Sequence, residues 1–154
     1  MLIIKNEIKL EIIEVVEKNI NLDPEDTCEA VCLYMGQLIE NTVLPAYSKI
    51  ADAYRDEFGE SDDGLQSGHM NPITSAIYKL NDEYSIKAYR RMSHVADILI
   101  DNNEELEMSI AEYRVTDPES PTIPYLNQAL ALQNNTAQFL RDAEAVMLDA
   151  ANIK

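Results

Sequence analysis

Along most of the chain apolar residues recur every three or four positions, and the stripe in residues 71–100 is the one around which the others are arranged. Ile73, Ile77, Leu80, Tyr84, Ala88, Met92, Val95 and Leu99 fall on one side of a helix. Asn71 supplies a cap and Pro72 suits the first helical position, where no donor is needed. The spacing predicts a long central helix over about 72–100, roughly 45 Å from end to end. A compact chain of this size is only about 38 Å across, so the molecule is expected to be elongated around this helix.

Other elements follow from the same periodicity. Ile4, Ile8, Ile12 and Val15, with Ile13, Val16 and Ile20 beside them, predict a helix over 4–20. Asp23-Pro24-Glu25-Asp26 is a second start signal, with acids placed against the positive end of a helix. Cys28, Val31, Cys32, Met35, Leu38 and Ile39 carry that helix to Leu44, and Pro45 is expected to kink or end it. A continuation through Tyr47, Ile50, Ala51, Tyr54 and Phe58 reaches Gly59, a C-cap candidate. Residues 59–70 hold three of the four glycines and no periodicity, which predicts a flexible loop. Asp101-Asn102-Asn103 breaks the pattern, after which Leu106, Ile110 and Tyr113 predict a short acidic helix. The segment from Asp117 to Pro124, with three prolines, is a connector.

The last predicted helix, 124–151, has a strict heptad: Tyr125, Ala129, Leu132, Thr136, Phe139, Ala143, Val146, Ala150 and Ile153. Leu126, Leu130, Ala137, Leu140 and Met147 form a second stripe alongside. Such a wide apolar face fits the interior of one chain, or a homodimer seam through Leu132, Phe139, Val146 and Ile153. The expected architecture is an all-α, elongated bundle of five or six helices, forming one domain over residues 1–154.

Charge changes the picture more than overall composition does. The 154 residues are 46% hydrophobic and 26% charged, ordinary for a folded domain, but 28 acids against 12 bases leave a net charge of −16. That field repels phosphate backbones and anionic lipid surfaces, so direct nucleic-acid binding and membrane association are not expected. A basic protein is the natural partner. The acids are grouped: Asp23, Glu25, Asp26, Glu29 and Glu40 in residues 23–44; Glu60, Asp62 and Asp63 in the loop; and Asp101, Glu104, Glu105, Glu107, Glu112, Asp117 and Glu119 in residues 101–121. The central helix is mildly basic, through Lys79, Lys87, Arg90 and Arg91. Lys87, Arg90, Arg91 and His94 share one face, where they neutralise a neighbouring helix or contact a small anion.

Candidate chemistry is sparse. Cys28 and Cys32 lie one helical turn apart, a spacing that suits small core residues better than a metal or redox pair. His94 has Asp97 at i+3, but no nucleophile accompanies them. Glu104 and Glu107 are the best remnant of the Glu-x-x-Glu that all-α nucleotide pyrophosphatases use with a later Glu-x-x-Asp to hold magnesium; no such second pair follows them. Phosphate-cradling glycine loops and Gly-x-Ser-x-Gly elbows are absent. The N-terminal apolar run is too short for a signal peptide, and the longest uncharged stretch, 120–140, is too polar to span a bilayer. The expectation is a cytoplasmic, non-enzymatic protein without cofactor or metal. Asp23, Glu25, Asp26, Glu29, Asp62, Asp63, Asp101, Glu104, Glu105, Glu107 and Glu112 would bind and inhibit a basic partner, as a nucleic-acid mimic of the anti-defence or anti-nuclease type or as a toxin-immunity protein. An acidic helical chaperone or assembly adaptor is the alternative, and a metal-dependent nucleotide hydrolase comes third.

Overall fold

The computed structural model describes residues 5–19, 23–59, 71–81 and 87–153, and these form five helices with no strand. They are α1 (Asn6–Lys18), α2 (Pro24–Phe58), α3 (Asn71–Leu80), α4 (Ala88–Thr116) and α5 (Thr122–Ala150). The fold is all-α, with the three long helices α2, α4 and α5 packed on one another. The most extensive contact joins α4 to α5, α1 rests on α2 and α5, and α3 lies against α2 and α4. Residues 60–70, most of the expected loop, lie outside the described residues, as do Asp62 and Asp63.

α2 begins as its sequence dictates. Asp23 Oδ1 accepts the Glu25 N–H at 2.9 Å, and Pro24 occupies a position that needs no donor. Pro45 does not end the helix. Its ring is on the exposed side, while Val43 and Tyr47 on either side of it are fully buried and anchor the chain across the missing backbone bond. α2 stops at Gly59, whose φ of 84° lies in the left-handed region that glycine enters at no steric cost, and whose N–H donates to Arg55 O at 2.7 Å.

The central helix is not continuous. α3 ends at Leu80, and Lys87 is extended (φ −60°, ψ 137°) before α4 starts. Side chains distant in sequence hold both helix ends at this break. Arg91 donates to Leu80 O at 3.2 Å, satisfying a carbonyl at the end of α3, and Glu25 Oε1 accepts the first N–H of α4, from Ala88, at 2.7 Å. Gly36 of α2 lets the end of α3 come close: a Cβ there would stand 2.9 Å from Asn81 Oδ1 and 3.6 Å from Leu80 Cβ.

A second difference runs the other way. α4 passes straight through Asp101-Asn102-Asn103 to Thr116. Asn103 is only 2% exposed and donates from Nδ2 to Asn134 Oδ1 of α5, so packing overrides the weak helix propensity of this triplet. The stretch 71–116 is thus two helices, one ending at Leu80 and the next starting at Ala88, rather than two helices divided at 101–103.

α5 buries both of its stripes within this chain. Leu126, Ala129, Ala137, Phe139, Leu140, Ala143 and Met147 belong to the core, with Leu132, Val146 and Ile153 partly buried against it. The helix closes on Asn152 at φ 58°, with Asn152 N–H bonded to Asp149 O (3.1 Å) and Ile153 N–H to Leu148 O (2.9 Å). This is the Schellman pattern, with asparagine in the left-handed position. Among the described residues no helix is long and apolar enough to cross a membrane.

Candidate functional site: two groups of carboxylates

The acids grouped by sequence divide by use. In the N-terminal group, Glu25 caps α4 through Ala88, and Glu29 pairs with Arg91, its carboxylate oxygens 2.7 Å from Nη1. Arg91 is 1% exposed, so its charge has left water and needs this partner. Both acids are therefore structural, as is the cap Asp23, while Asp26 and Glu40 are exposed. The basic cluster of the sequence divides accordingly. Arg91 neutralises α2 from the interior, whereas Arg90 and His94 are exposed. Asp97 does not orient His94 but accepts from Arg141 of α5 at 2.6 Å.

Around Arg91 lies a buried polar cluster joining α2, α4 and α5. Glu144, 4% exposed, accepts the Ser93 N–H at 2.7 Å through Oε2, and its Oε1 has no hydrogen-bond partner among the described residues. Cys28 and Cys32 are fully buried free thiols, and Cys32 Sγ approaches Ala88 O at 3.6 Å. Burial, with Glu25 and Glu144 nearby, pushes the Cys28 thiol up to about 11. Burial pushes Cys32 up to about 12 against the pull of Arg91. At neutral pH both are protonated, the form that is neither nucleophile nor metal ligand. Among the described residues no three His, Cys, Asp or Glu side chains come together as a metal-binding group. The cluster holds three helices in register.

The second half of α4 is different. Asp101, Glu104, Glu105, Glu107 and Glu112 are all exposed, and none of their carboxylates has an ion-pair or hydrogen-bond partner among the described residues. The opposite side of the same turns, Leu99, Asn103, Leu106 and Ile110, is buried. With one face fixed in the core, the acids project from the other. From Asp101 to Glu112 the helix rises about 16 Å, so the five carboxylates are spaced on average about 4 Å apart along the axis, on the scale of the roughly 3.4 Å per phosphate along one nucleic-acid strand.

No protein-family model, curated protein or solved structure matches the chain. Assignment of a site rests on this geometry alone.

Of the residues expected at a dimer seam, Phe139 is 1% exposed and covered by its own chain. Leu132 lines a cavity of about 410 Å³ between α2 and α5, near Pro45. Ile153 lines another of about 470 Å³ with Pro24, Lys87, Tyr89, Arg90 and Leu148. Sequence reasoning missed Met108 and Val115, which are 70% and 85% exposed on the acidic half of α4. Their signal was available: both fall outside the core stripe of Leu99, Leu106 and Ile110 once the helix is continued through residue 103.

Proposed function

We propose that this protein is non-catalytic and acts by binding a basic, nucleic-acid-binding protein through the acids on the second half of α4, thereby inhibiting it. The observation that carries this reading is that Asp101, Glu104, Glu105, Glu107 and Glu112 stay exposed, with no ion-pair partner among the described residues, along one helix whose other face is locked into the core. A net charge of −16 makes ordering like charges on one helix electrostatically costly, and a cationic groove repays that cost. The carboxylates would occupy the groove in place of phosphates, and their field would accelerate the encounter. An anti-defence or anti-nuclease inhibitor and an immunity protein for a basic toxin share these electrostatics. Inhibition is the consequence of occupying the groove, so activity follows from binding without a catalytic group.

The test is capture of interacting proteins from native host lysate by wild type and by E104K/E105K/E107K. The expected result is retention of a basic protein by wild type in low salt, its release as salt rises, and its loss from the variant. Retention unchanged by both salt and charge reversal contradicts the proposal.

A chaperone or assembly adaptor is the second reading, favoured by the exposure of Met108 and Val115. Binding that persists at high salt would select it. A magnesium-dependent nucleotide hydrolase using Glu104 and Glu107 would instead show turnover abolished by E104Q.

A further inference from the structure

Seen along its axis, the outer face of α4 has the spacing of a helix-packing seam rather than of a purely solvated surface. Asp101, Glu104, Met108, Ala111 and Val115 follow one another at intervals of 3, 4, 3 and 4 residues, and all are exposed. This alternation is the one that lets a second helix lay its side chains between those of the first. The last three members are apolar, and Met108 and Val115, two turns apart, leave most of their surface in water. Glu105 and Glu112 run along one edge of the row, one position beyond Glu104 and Ala111, and Glu107 lies on the other edge. Flanking positions of this kind select a partner helix by its charge. The row measures about 21 Å from Asp101 to Val115, enough for four turns of a facing helix. Scattered single apolar residues on a surface are ordinary; two of them in register, flanked by Glu105 and Glu112 on one edge and by Glu107 and then Arg114 on the other, with no ion-pair partner for these acids among the described residues, are not.

We propose that this face is a docking seam and that its occupant is a basic amphipathic helix of the partner. The helix places an apolar ridge over Met108, Ala111 and Val115, and Lys or Arg side chains against Glu105 and Glu112 on one edge and Glu107 on the other. The assignment rests on the acidic-face reading above and narrows it: the partner is recognised by a helix carrying apolar residues, not by a bare phosphate-binding groove. Charge complementarity decides the occupant. A second copy of this chain would bring acid against acid, and an anionic membrane would be repelled. Met108 and Val115 supply the difference between a true fit and mere attraction, because a groove that reads only phosphates gains nothing from covering them.

The probe is a labelled 18-residue helical peptide of leucine, lysine and alanine, its leucines at 3-4 spacing on one face. A second peptide of the same composition has the leucines dispersed around the helix. Both are titrated by fluorescence anisotropy against the full chain at low and at high salt. The wild type is expected to bind the one-faced peptide about tenfold or more tightly than the dispersed one. M108S/V115S should erase that preference while leaving weak, salt-sensitive binding of both peptides. E105K/E112K should weaken both peptides by about tenfold or more. Circular dichroism of each variant is expected to match wild type, because all four side chains are exposed. Equal affinity for the two peptides, or an M108S/V115S variant that keeps the preference, overturns the seam. If charge reversal still weakens both peptides in that case, the acidic face survives as a binding surface without helix docking. If charge reversal also has no effect, both readings fall.

Discussion

The first turns of α2 and the second half of α4 are both rich in carboxylates, yet the fold uses them in opposite ways. Glu25 and Glu29 point inward, one on the Ala88 N–H and one on a guanidinium that is 1% exposed. Asp101, Glu104, Glu105, Glu107 and Glu112 point outward and meet no cation among the described residues. The difference shows that local acid density is no measure of surface charge. What separates the regions is a helix break: α3 and α4 leave unsatisfied backbone groups beside α2, and acids there are drawn into closing them. The second half of α4 has no broken end beside its acids and leaves them free.

The largest effect should come from breaking the inward group. Glu29→Ala leaves Arg91 buried without its carboxylate and is expected to cost about 3–5 kcal/mol in urea or thermal unfolding. E29L/R91M, which removes both charges, should recover part of that loss. A cost below about 1 kcal/mol for E29A would show that Arg91's other contacts carry its charge without this carboxylate, and would remove the distinction between the two regions.

A smaller effect concerns the thiols beside this pair. Their folded pKa values, about 11 for Cys28 and about 12 for Cys32, stand above the ordinary thiol value of 9.0. Unfolded thiols lose protons from pH 9 upward while the folded ones keep theirs. The stabilisation is therefore fully present below pH 9 and is lost as pH rises through the folded values. C28A/C32A should show a shallower decline in stability between pH 9 and 12 than wild type, whatever its stability at pH 7. Parallel declines would show that the thiols are not held in their neutral form by the fold.

The smallest effect on stability is expected at the outward group. E104K/E105K/E107K should stay within about 0.5 kcal/mol of wild type, as exposed side chains without partners do. A large loss there would make these acids structural too.

Much of the helical content was legible from apolar spacing: α1, α2 and its glycine stop, and α5 lie within a few residues of their expected limits. The break between Leu80 and Ala88 was not, because Tyr84 continues the apolar period in the sequence, and the side chains that cap the break lie far from what they meet: Glu25 is 63 residues from the donor it accepts from and Arg91 is 11 from the carbonyl it donates to. The continuity of α4 was hidden for a related reason. Asn103 looks like a terminator until Asn134, 31 residues away, accepts its side-chain N–H across the α4–α5 contact. Both are tertiary decisions, in which a polar side chain is judged by a partner from another helix. For the candidate site, sequence counted acids in segments and so grouped Glu25 and Glu29 with Glu104 and Glu105. Only burial distinguishes them. The 3-4 row through Met108 and Val115 became visible once α4 was continuous.

The most direct measurement compares partner retention by E104K/E105K/E107K with that by E17K/E40K/D149K, a variant of identical net charge whose three substitutions lie at exposed acids on α1, α2 and α5. Loss of the basic partner from the first variant, with near wild-type retention by the second, is the result expected if the face of α4 does the binding. Equal retention by the two would show that bulk acidity alone draws the partner, and that no surface of this protein is specialised for it.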